Sequence, residues 1–171
     1  MENQVIETNA DVTVITAGEL LSHWQGHRKL SRKVLNAFPE NELFGFSIGG
    51  MRTYAALAKE IIGLTSGGIS GIVTGDWSTK PELDYFDTTA DIKSKAELLA
   101  AWDEVTEQLD TLWPQIPAAR FAEVVKSFGQ WDNTVIGTIQ YVMDNEIHHR
   151  AQGTVYLRAL GIEPPAFWER W

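Results

Sequence analysis

Four separate stretches of this chain carry apolar residues at helical spacing, and that pattern constrains the fold more than any other feature. Within each stretch the apolar side chains recur three and four positions apart, as they do along the buried face of a helix. The stretches begin near Thr16, Ser47, Lys93 and Thr134, and each spans about five to seven helical turns. Four amphipathic helices with little strand signal predict an all-α fold, a four-helix bundle.

Proline and glycine residues predict where these helices end. Pro39 closes the first stretch, and Pro114 stops the third. Residues 65–68, Thr-Ser-Gly-Gly, are expected to end the second helix, and Gly161 is expected to end the fourth as a left-handed cap. The predicted helices therefore cover residues 16–38, 47–64, 93–113 and 134–160.

The connection between the second and third helices is unusually long. Residues 69–91 are irregular, are punctuated by glycine and by Pro81, and contain at most a helical turn at 69–73. A connection of this length can run the length of a bundle and join two parallel helices, which predicts an up-down-down-up arrangement. Residues 118–133 are expected to form a helical turn followed by an extended piece around 124–131.

Length and charge narrow the class of protein. A chain of 171 residues fits one domain, here 1–171, with an acidic N-terminal arm over 1–15 and an aromatic C-terminal tail over 162–171. The formal net charge of −9 argues against nucleic acid as a partner, because binding phosphates requires clustered Lys and Arg. It also argues against an anionic membrane surface. The sequence therefore predicts neither nucleic acid nor a membrane as a partner.

The sequence also predicts a location and excludes some chemistries. There is no apolar run of the length that spans a membrane and no secretory start, so a cytoplasmic protein is expected. The chain contains no cysteine, which excludes disulfides, zinc–thiolate sites and a cysteine nucleophile. Any thiol chemistry would therefore need an external thiol.

The segment from Asp144 to Gln152, in the fourth predicted helix, carries the densest group of possible metal ligands. Asn145 and His149 are four residues apart and share a face, whereas His148 lies about 100° around the helix from His149. Glu146 forms a Glu-x-x-His pair with His149, but di-iron bundles need two such pairs, so a di-iron centre is not expected. His148 and Glu146 are expected at the edges of the inward face. That face is predicted to include Tyr141, Val142, Gln152, Val155 and Tyr156.

Each of these candidates also has a plainer interpretation. A His-His-Arg run is in most proteins a solvated polar stripe, and Glu60 in the second helix could be an exposed residue beside Lys59. His23 and His27 are four apart on the first helix, a sound spacing for metal ligands. Without a carboxylate nearby, such histidines are more often interfacial residues with satisfied nitrogens.

Residues 145–152, Asn-Glu-Ile-His-His-Arg-Ala-Gln, followed by Val-Tyr-Leu-Arg-Ala-Leu-Gly at 155–161, resemble the last helix of the DinB/YfiT-like family. The helix order, the long connection and the total length are also similar. The resemblance implies an up-down-down-up bundle, usually dimeric, around a divalent metal held by three histidines. Several members of the family are thiol-dependent transferases or isomerases.

The resemblance also implies a set of ligands, from which this chain departs. The family's second-helix ligand falls at Glu60, and its fourth-helix ligands fall at Asn145 and His149. Only His149 keeps the expected residue type, since Glu60 is anionic and Asn145 binds through a neutral carbonyl oxygen. The set suits zinc, nickel, iron or manganese with waters in the open positions. Four further residues are candidates for the site: His148, Glu146, His27 and His23.

Two functions of different classes follow. The first is a metal-dependent transferase or hydrolase that acts on a small substrate with an external thiol or a metal-bound water. The second is a metal-free, non-catalytic bundle that binds a ligand or mediates self-association, in which Glu60 and His149 bond to each other or to water. The tryptophan-rich helices favour a homodimer in either case.

Overall fold

The computed structural model describes residues 14–83 and 92–170, and this part of the chain is mostly helical. Four long helices are α1 (Ala17–Ala37), α3 (Tyr54–Thr74), α4 (Lys95–Leu112) and α5 (Val135–Ala159), and a short helix α2 (Glu40–Gly45) follows α1. Two short strands, β1 (Val124–Ser127) and β2 (Trp131–Thr134), pair antiparallel before α5. The predicted helical class is therefore confirmed, with a small hairpin added to it. Most of the predicted N-terminal arm lies outside the described residues.

Side-chain caps determine where the long helices begin. Thr16 caps α1 as predicted, and it forms a reciprocal capping box with Glu19. Ser94 and Glu97 make the same arrangement at α4, and Thr134 accepts a hydrogen bond from the third backbone N–H of α5. These hydroxyls satisfy backbone donors that have no partner within the helix.

The predicted bounds of the second long helix were wrong at both ends. Residues 47–53 are turns and extended backbone, α2 occupies part of the segment that was expected to be a polar break, and α3 begins at Tyr54 behind its cap Thr53. At the other end α3 continues through 65–68 and finishes at Thr74, where Gly75 adopts a left-handed conformation (φ 84°).

Close packing explains why glycines lie inside α3 instead of ending it. A Cβ atom on Gly71 would lie 2.0 Å from the Trp77 ring, and one on Gly63 would lie 2.6 Å from the backbone oxygen of Leu83. The connection after α3 folds back over these glycines, so their lack of a side chain serves the contact between the two segments. Helix propensity alone cannot reveal such a contact.

Two apolar clusters fill the two ends of the bundle. One cluster joins the last turns of α1 and α5 to the first turns of α3 and α4, and it includes Leu35, Ile61, Trp102 and Leu157. The other joins the first turns of α1 and α5 to the last turns of α3 and α4, and it includes Trp24, Ile69, Leu109 and Ile139. Arg28 of α1 and Glu146 of α5 lie between the parts of their helices that the two clusters occupy, whereas Glu60 of α3 lies beside residues of the first cluster.

Helix α3 is apolar because it is a core helix. By length and composition it could span a membrane, contrary to the expectation that no such segment exists. However, 78% of its apolar 18-residue stretch is buried against the rest of the protein. The apolar side chains of α3 are therefore packed mostly in the interior of the protein.

Candidate metal site and a second buried polar network

Three predicted ligands, Glu60, Asn145 and His149, come together between α3 and α5. The Asn145 Nδ2 group donates to Glu60 Oε1 over 2.8 Å, and His149 Nε2 lies 3.1 Å from the same oxygen. Glu60 and His149 are buried, with 9% and 6% of their surfaces exposed, and Asn145 is half-buried. The exposed interpretation of Glu60 is thereby excluded.

Both ring nitrogens of His149 face oxygen atoms that accept hydrogen bonds. Nδ1 lies 2.7 Å from Gln152 Oε1, a carbonyl oxygen that cannot donate, so Nδ1 carries a proton. Nε2 then faces the Glu60 carboxylate in one of two ways. If the ring is positively charged, Nε2 carries a second proton and donates it to the carboxylate. If the ring is neutral, Nε2 has a lone pair, and a cation can bind between this lone pair and the carboxylate. A histidine held through Nδ1 in this way has the arrangement that orients metal-binding imidazoles.

Glu60 is held as an anion. Burial raises its pKa, but hydrogen bonds from His149, Asn145 and Arg52 outweigh that effect and lower the pKa to about 2. The Arg52 guanidinium contacts Oε2, which leaves Oε1 directed at His149 and Asn145. Sequence reasoning missed Arg52, because it precedes the cap of α3 and lies two helical turns from Glu60.

The oxygen chemistry of the site fits a divalent cation. The side-chain oxygen of Asn145 is buried and has no hydrogen-bond partner, and a 180° rotation of the carboxamide would place this oxygen where Nδ2 now contacts Glu60, which makes one neutral carbonyl available as a ligand. Together with Glu60 and His149 it makes a mixed oxygen and nitrogen set of the kind that zinc, manganese, iron and nickel accept. In residues 14–83 and 92–170, no three His, Cys, Asp or Glu side chains form a metal-binding group, so Glu60 and His149 are joined by an amide and not by a third such side chain.

The four additional candidates lie elsewhere. His148 is exposed, but His149 and Arg150 are buried, so the solvated interpretation of the His-His-Arg run holds for His148 alone. Glu146 was expected at the edge of the inward face, but it is fully buried and faces α1, where Ser31 Oγ donates to Oε1 over 2.7 Å. Tyr141 and Val155, expected inward, are 45% and 55% exposed. The buried face of α5 is thus rotated towards α1 relative to the prediction.

Glu146 belongs to a second buried polar network, between α1 and α5. Arg28 Nη1 lies 3.8 Å from Glu146 Oε2, has no hydrogen-bond partner, and belongs to a side chain only 1% exposed. The Arg28 guanidinium stacks over the Trp102 ring, 3.8 Å from its centroid. Burial lowers the pKa of Arg28 to about 10, although Glu146 opposes that shift. Neither Arg28 nor Ser31 carried a signal in the sequence, because both lie within an ordinary amphipathic pattern.

His27 and His23 complete this network. Arg150 Nη1 lies 3.0 Å from His27 Nδ1, and because a guanidinium can only donate, Nδ1 accepts and His27 Nε2 carries the proton. That proton points to His23 Nε2, 3.1 Å away. Burial, assisted by the nearby charges of Arg150 and Arg170 and by His23, lowers the pKa of His27 to about 3. His27 is therefore neutral and serves as an acceptor for Arg150.

The low pKa of His27 predicts a loss of stability on mild acidification. Below its ordinary pKa of 6.5 the unfolded chain binds a proton on His27, whereas the folded chain does so only near pH 3. The unfolded state then binds more protons, so stability falls as the pH drops, by up to about 1.4 kcal/mol per pH unit. The measurement is the free energy of unfolding in urea at pH values from 6.5 to 4.5. This free energy should fall less per pH unit for His27→Gln than for the wild type. Equal slopes would contradict the prediction.

The pH range in which His27 changes stability differs from that of Glu60. The Glu60 pKa is lowered from 4.5 to about 2, so its contribution to stability is present above pH 4.5 and is lost only as the pH falls towards 2. A glutamine at position 27 still offers an oxygen to Arg150, so the variant keeps the acceptor while removing the titrating group.

An aromatic pocket lies one helical turn from the Glu60 site. Tyr141 is one turn before Asn145 on α5, and Leu64 is one turn after Glu60 on α3; both line a pocket of about 480 Å³. The rings of Trp77, Phe128 and Trp131 form its other walls. Phe128 at the hairpin turn has φ 53°, a left-handed conformation that is uncommon for a residue other than glycine. Trp77 also packs against the apolar cluster around Trp24 and Leu109, so its ring joins this pocket to the core.

Together the fold and the site define a helical-bundle protein with a Glu–Asn–His cluster between two of its long helices. The DinB family model matches residues 7–171, and the chain belongs to the DinB family. The resemblance inferred from the last helix is thereby confirmed.

Two solved structures share this fold. A DinB-like protein from Bacillus cereus is 18% identical, with a TM-score of 0.69 over 88% of this chain and 97% of that chain. The DinB-like protein YjoA from Bacillus subtilis is 19% identical, with a TM-score of 0.67 over 89% of this chain and 99% of that chain. No curated protein matches the sequence.

Proposed function

We propose that this protein binds a divalent metal ion through Glu60, Asn145 and His149 and acts as a metal-dependent transferase or hydrolase on a small substrate. The observation that carries the proposal is the meeting of His149 Nε2 and Glu60 Oε1 at 3.1 Å beside a buried Asn145 oxygen without a partner. The DinB family supplies only the fold-level expectation of such a site.

Each residue around the proposed centre has a distinct task. Gln152 fixes the ring orientation of His149 by accepting from Nδ1, and it also donates to the Met51 sulfur over 3.6 Å. Arg52 neutralises and orients the outer oxygen of Glu60. Glu60 supplies a negative charge over the whole physiological pH range, because its pKa is about 2. A divalent ion bound here would lower the pKa of a water or of an external thiol and so make a nucleophile available near neutral pH.

The aromatic pocket is the proposed binding place for the body of the substrate. Its walls suit a planar or apolar group, while the hydroxyls of Ser78 and Thr79 and the Gln130 amide provide polar contacts. The pocket lies along the same pair of helices as Glu60 and Asn145. A substrate bound there can extend one helical turn to the proposed centre.

We also infer that the four long helices run up-down-down-up. The two apolar clusters support this arrangement, because the starts of α1 and α5 share one end of the bundle with the ends of α3 and α4. The expected homodimer and the cytoplasmic location stay predictions from the sequence.

Metal binding tests the proposal directly. Protein purified without chelator is expected to contain about one equivalent of a divalent metal, measured by elemental analysis. After removal of the metal, adding it back at ten times its dissociation constant should raise the free energy of unfolding by about 1.4 kcal/mol. His149→Ala should lose both the metal and this stabilisation. His148→Ala, which removes the adjacent exposed imidazole, is the matched control and should keep both.

The direct contact between His149 and Glu60 also favours a second function, a metal-free bundle that binds a ligand or self-associates. In that case His149 is positively charged and forms an ion pair with Glu60. The same experiment distinguishes the two: less than about a tenth of an equivalent of metal, with no change in stability on adding divalent ions, would reject the metal-dependent enzyme.

A further inference from the structure

A separate groove lies between α1, α5 and the C-terminal segment. It has a volume of about 420 Å³, within the range of small-molecule sites. Leu30 and Val34 of α1 form one wall, and Pro164 and Trp168 form the facing wall. The Arg150 side chain lines the groove from α5, although only 4% of its surface is exposed.

The Arg150 guanidinium is only partly satisfied. All of its hydrogen bonds are made by Nη1, to His27 Nδ1 at 3.0 Å, to Ser31 Oγ at 3.3 Å and to the His27 backbone oxygen at 3.4 Å. Within the described ranges Nε and Nη2 have no hydrogen-bond partner, and no carboxylate lies within 4.0 Å of the group. Neither nitrogen is fully enclosed, so both donors reach the surface that Arg150 contributes to the groove and are open to an anion there.

The charges around Arg150 leave a positive excess. Two guanidinium groups, those of Arg28 and Arg150, are buried here, and the only described carboxylate within the same network is Glu146. Glu146 is already placed against Arg28, at 3.8 Å, and His27 is neutral. Arg158 stands at the rim, where it pairs with Glu163 at 3.6 Å. Beyond these contacts, Asp103 and Asp110 also favour the charged form of Arg28, while Arg170 disfavours that of Arg150, so the uncompensated positive charge lies on the Arg150 side.

We propose that this groove is a second ligand site, which binds a small carboxylate with an apolar body. The carboxylate accepts hydrogen bonds from the Arg150 nitrogens that lack a protein partner, and the apolar body packs between α1 and the C-terminal segment. A planar monoanion matches the flat guanidinium fork of Arg150. A doubly charged phosphate would leave an extra charge against apolar walls.

The groove is distinct from the Glu60 site. Ile147, Arg150 and Thr154 line it from one stripe of α5, whereas Asn145 and His149 project from the stripe that faces α3. Neighbouring residues on a helix are about 100° apart, so the two stripes lie on different sides of α5. The inference therefore stands independently of the metal-dependent function.

Octanoate and octanol, which share an apolar chain and differ in charge, test this proposal by isothermal titration calorimetry on the full chain. Octanoate is expected to bind one molecule per chain, at least tenfold more tightly than octanol. Arg150→Gln should weaken octanoate binding at least tenfold. Binding of octanol as tight as that of octanoate, or no binding of octanoate at millimolar concentration, would overturn the proposal.

A second variant leaves the buried network intact. Ala151 is exposed and lines the groove, so Ala151→Phe should fill it and weaken octanoate binding at least tenfold without disturbing the core. Ala159→Phe places the same side chain at an exposed position of α5 outside the groove lining and should leave binding unchanged. Equal octanoate affinities for these two variants would place the ligand elsewhere and reject the groove as its site.

Discussion

Replacing Glu146 with alanine is expected to lower the free energy of unfolding by about 3–5 kcal/mol, the cost of leaving a buried charge without its partner. The Arg28 guanidinium is 1% exposed, and Glu146 is the carboxylate closest to it, at 3.8 Å. The substitution also removes the acceptor of the Ser31 hydroxyl at 2.7 Å and of the Trp24 indole N–H at 3.4 Å. Equilibrium urea unfolding measures the effect as a shift of the midpoint at constant slope.

Two further variants separate the charge of Glu146 from its shape. Glu146→Gln keeps an oxygen for Ser31 but loses the negative charge, so its cost should fall between that of the wild type and that of Glu146→Ala. Glu104→Gln removes an exposed carboxylate that pairs with Lys80, and it should change stability by less than about 0.5 kcal/mol. A loss below about 1 kcal/mol for Glu146→Ala would show that Arg28 does not depend on Glu146.

Replacing Gly153 with alanine is expected to destabilise the protein by about 3 kcal/mol, although alanine is the better helix former. A Cβ atom at this position would lie 2.3 Å from Cε2 and 2.6 Å from Cζ of Tyr54. The Tyr54 ring cannot move aside, because it is fully buried and stacks on Phe38 with ring centroids 4.6 Å apart. Thermal and urea unfolding should both report the loss.

Gly18 supplies the matched control for Gly153. It lies in the first turn of α1, and a Cβ atom there would meet nothing within 4 Å. Gly18→Ala should therefore be neutral or stabilising, by at most about 1 kcal/mol. If both substitutions were stabilising, the contact between Gly153 and Tyr54 would not be close enough to restrict the side chain at position 153.

Local sequence features predicted the helices and several of their ends, but they did not predict the tertiary contacts that the helices make. Thr16 and Gly161 marked the first and last helix ends, because a cap and a left-handed glycine act on the adjacent backbone (Gly161 has φ 76°). Gly67 and Gly68 were interpreted as a helix end and Gly71 as part of the irregular connection, since nothing local shows that Trp77 later folds against Gly67 and Gly71. Glycine in a helix is costly in isolation, and only the tertiary contact explains it.

The candidate site was likewise predicted from the sequence only in part. The spacing of Asn145 and His149 places them on one face of a helix in any fold, and the family resemblance points to Glu60 across from them. The contacts of Glu60 with Asn145 at 2.8 Å and with His149 at 3.1 Å depend on how α3 and α5 pack, and so do the roles of Arg52 and Gln152.

The sequence by itself determined that the chain forms four long amphipathic helices and that Asn145 and His149 share a face. Only the tertiary structure decided which polar residues of α5 are buried, with Glu146 directed at Arg28 and Ser31 while His148 stays exposed. The physical reason is that helical spacing depends on the local backbone, whereas the rotation of a helix about its axis depends on what packs against each of its sides.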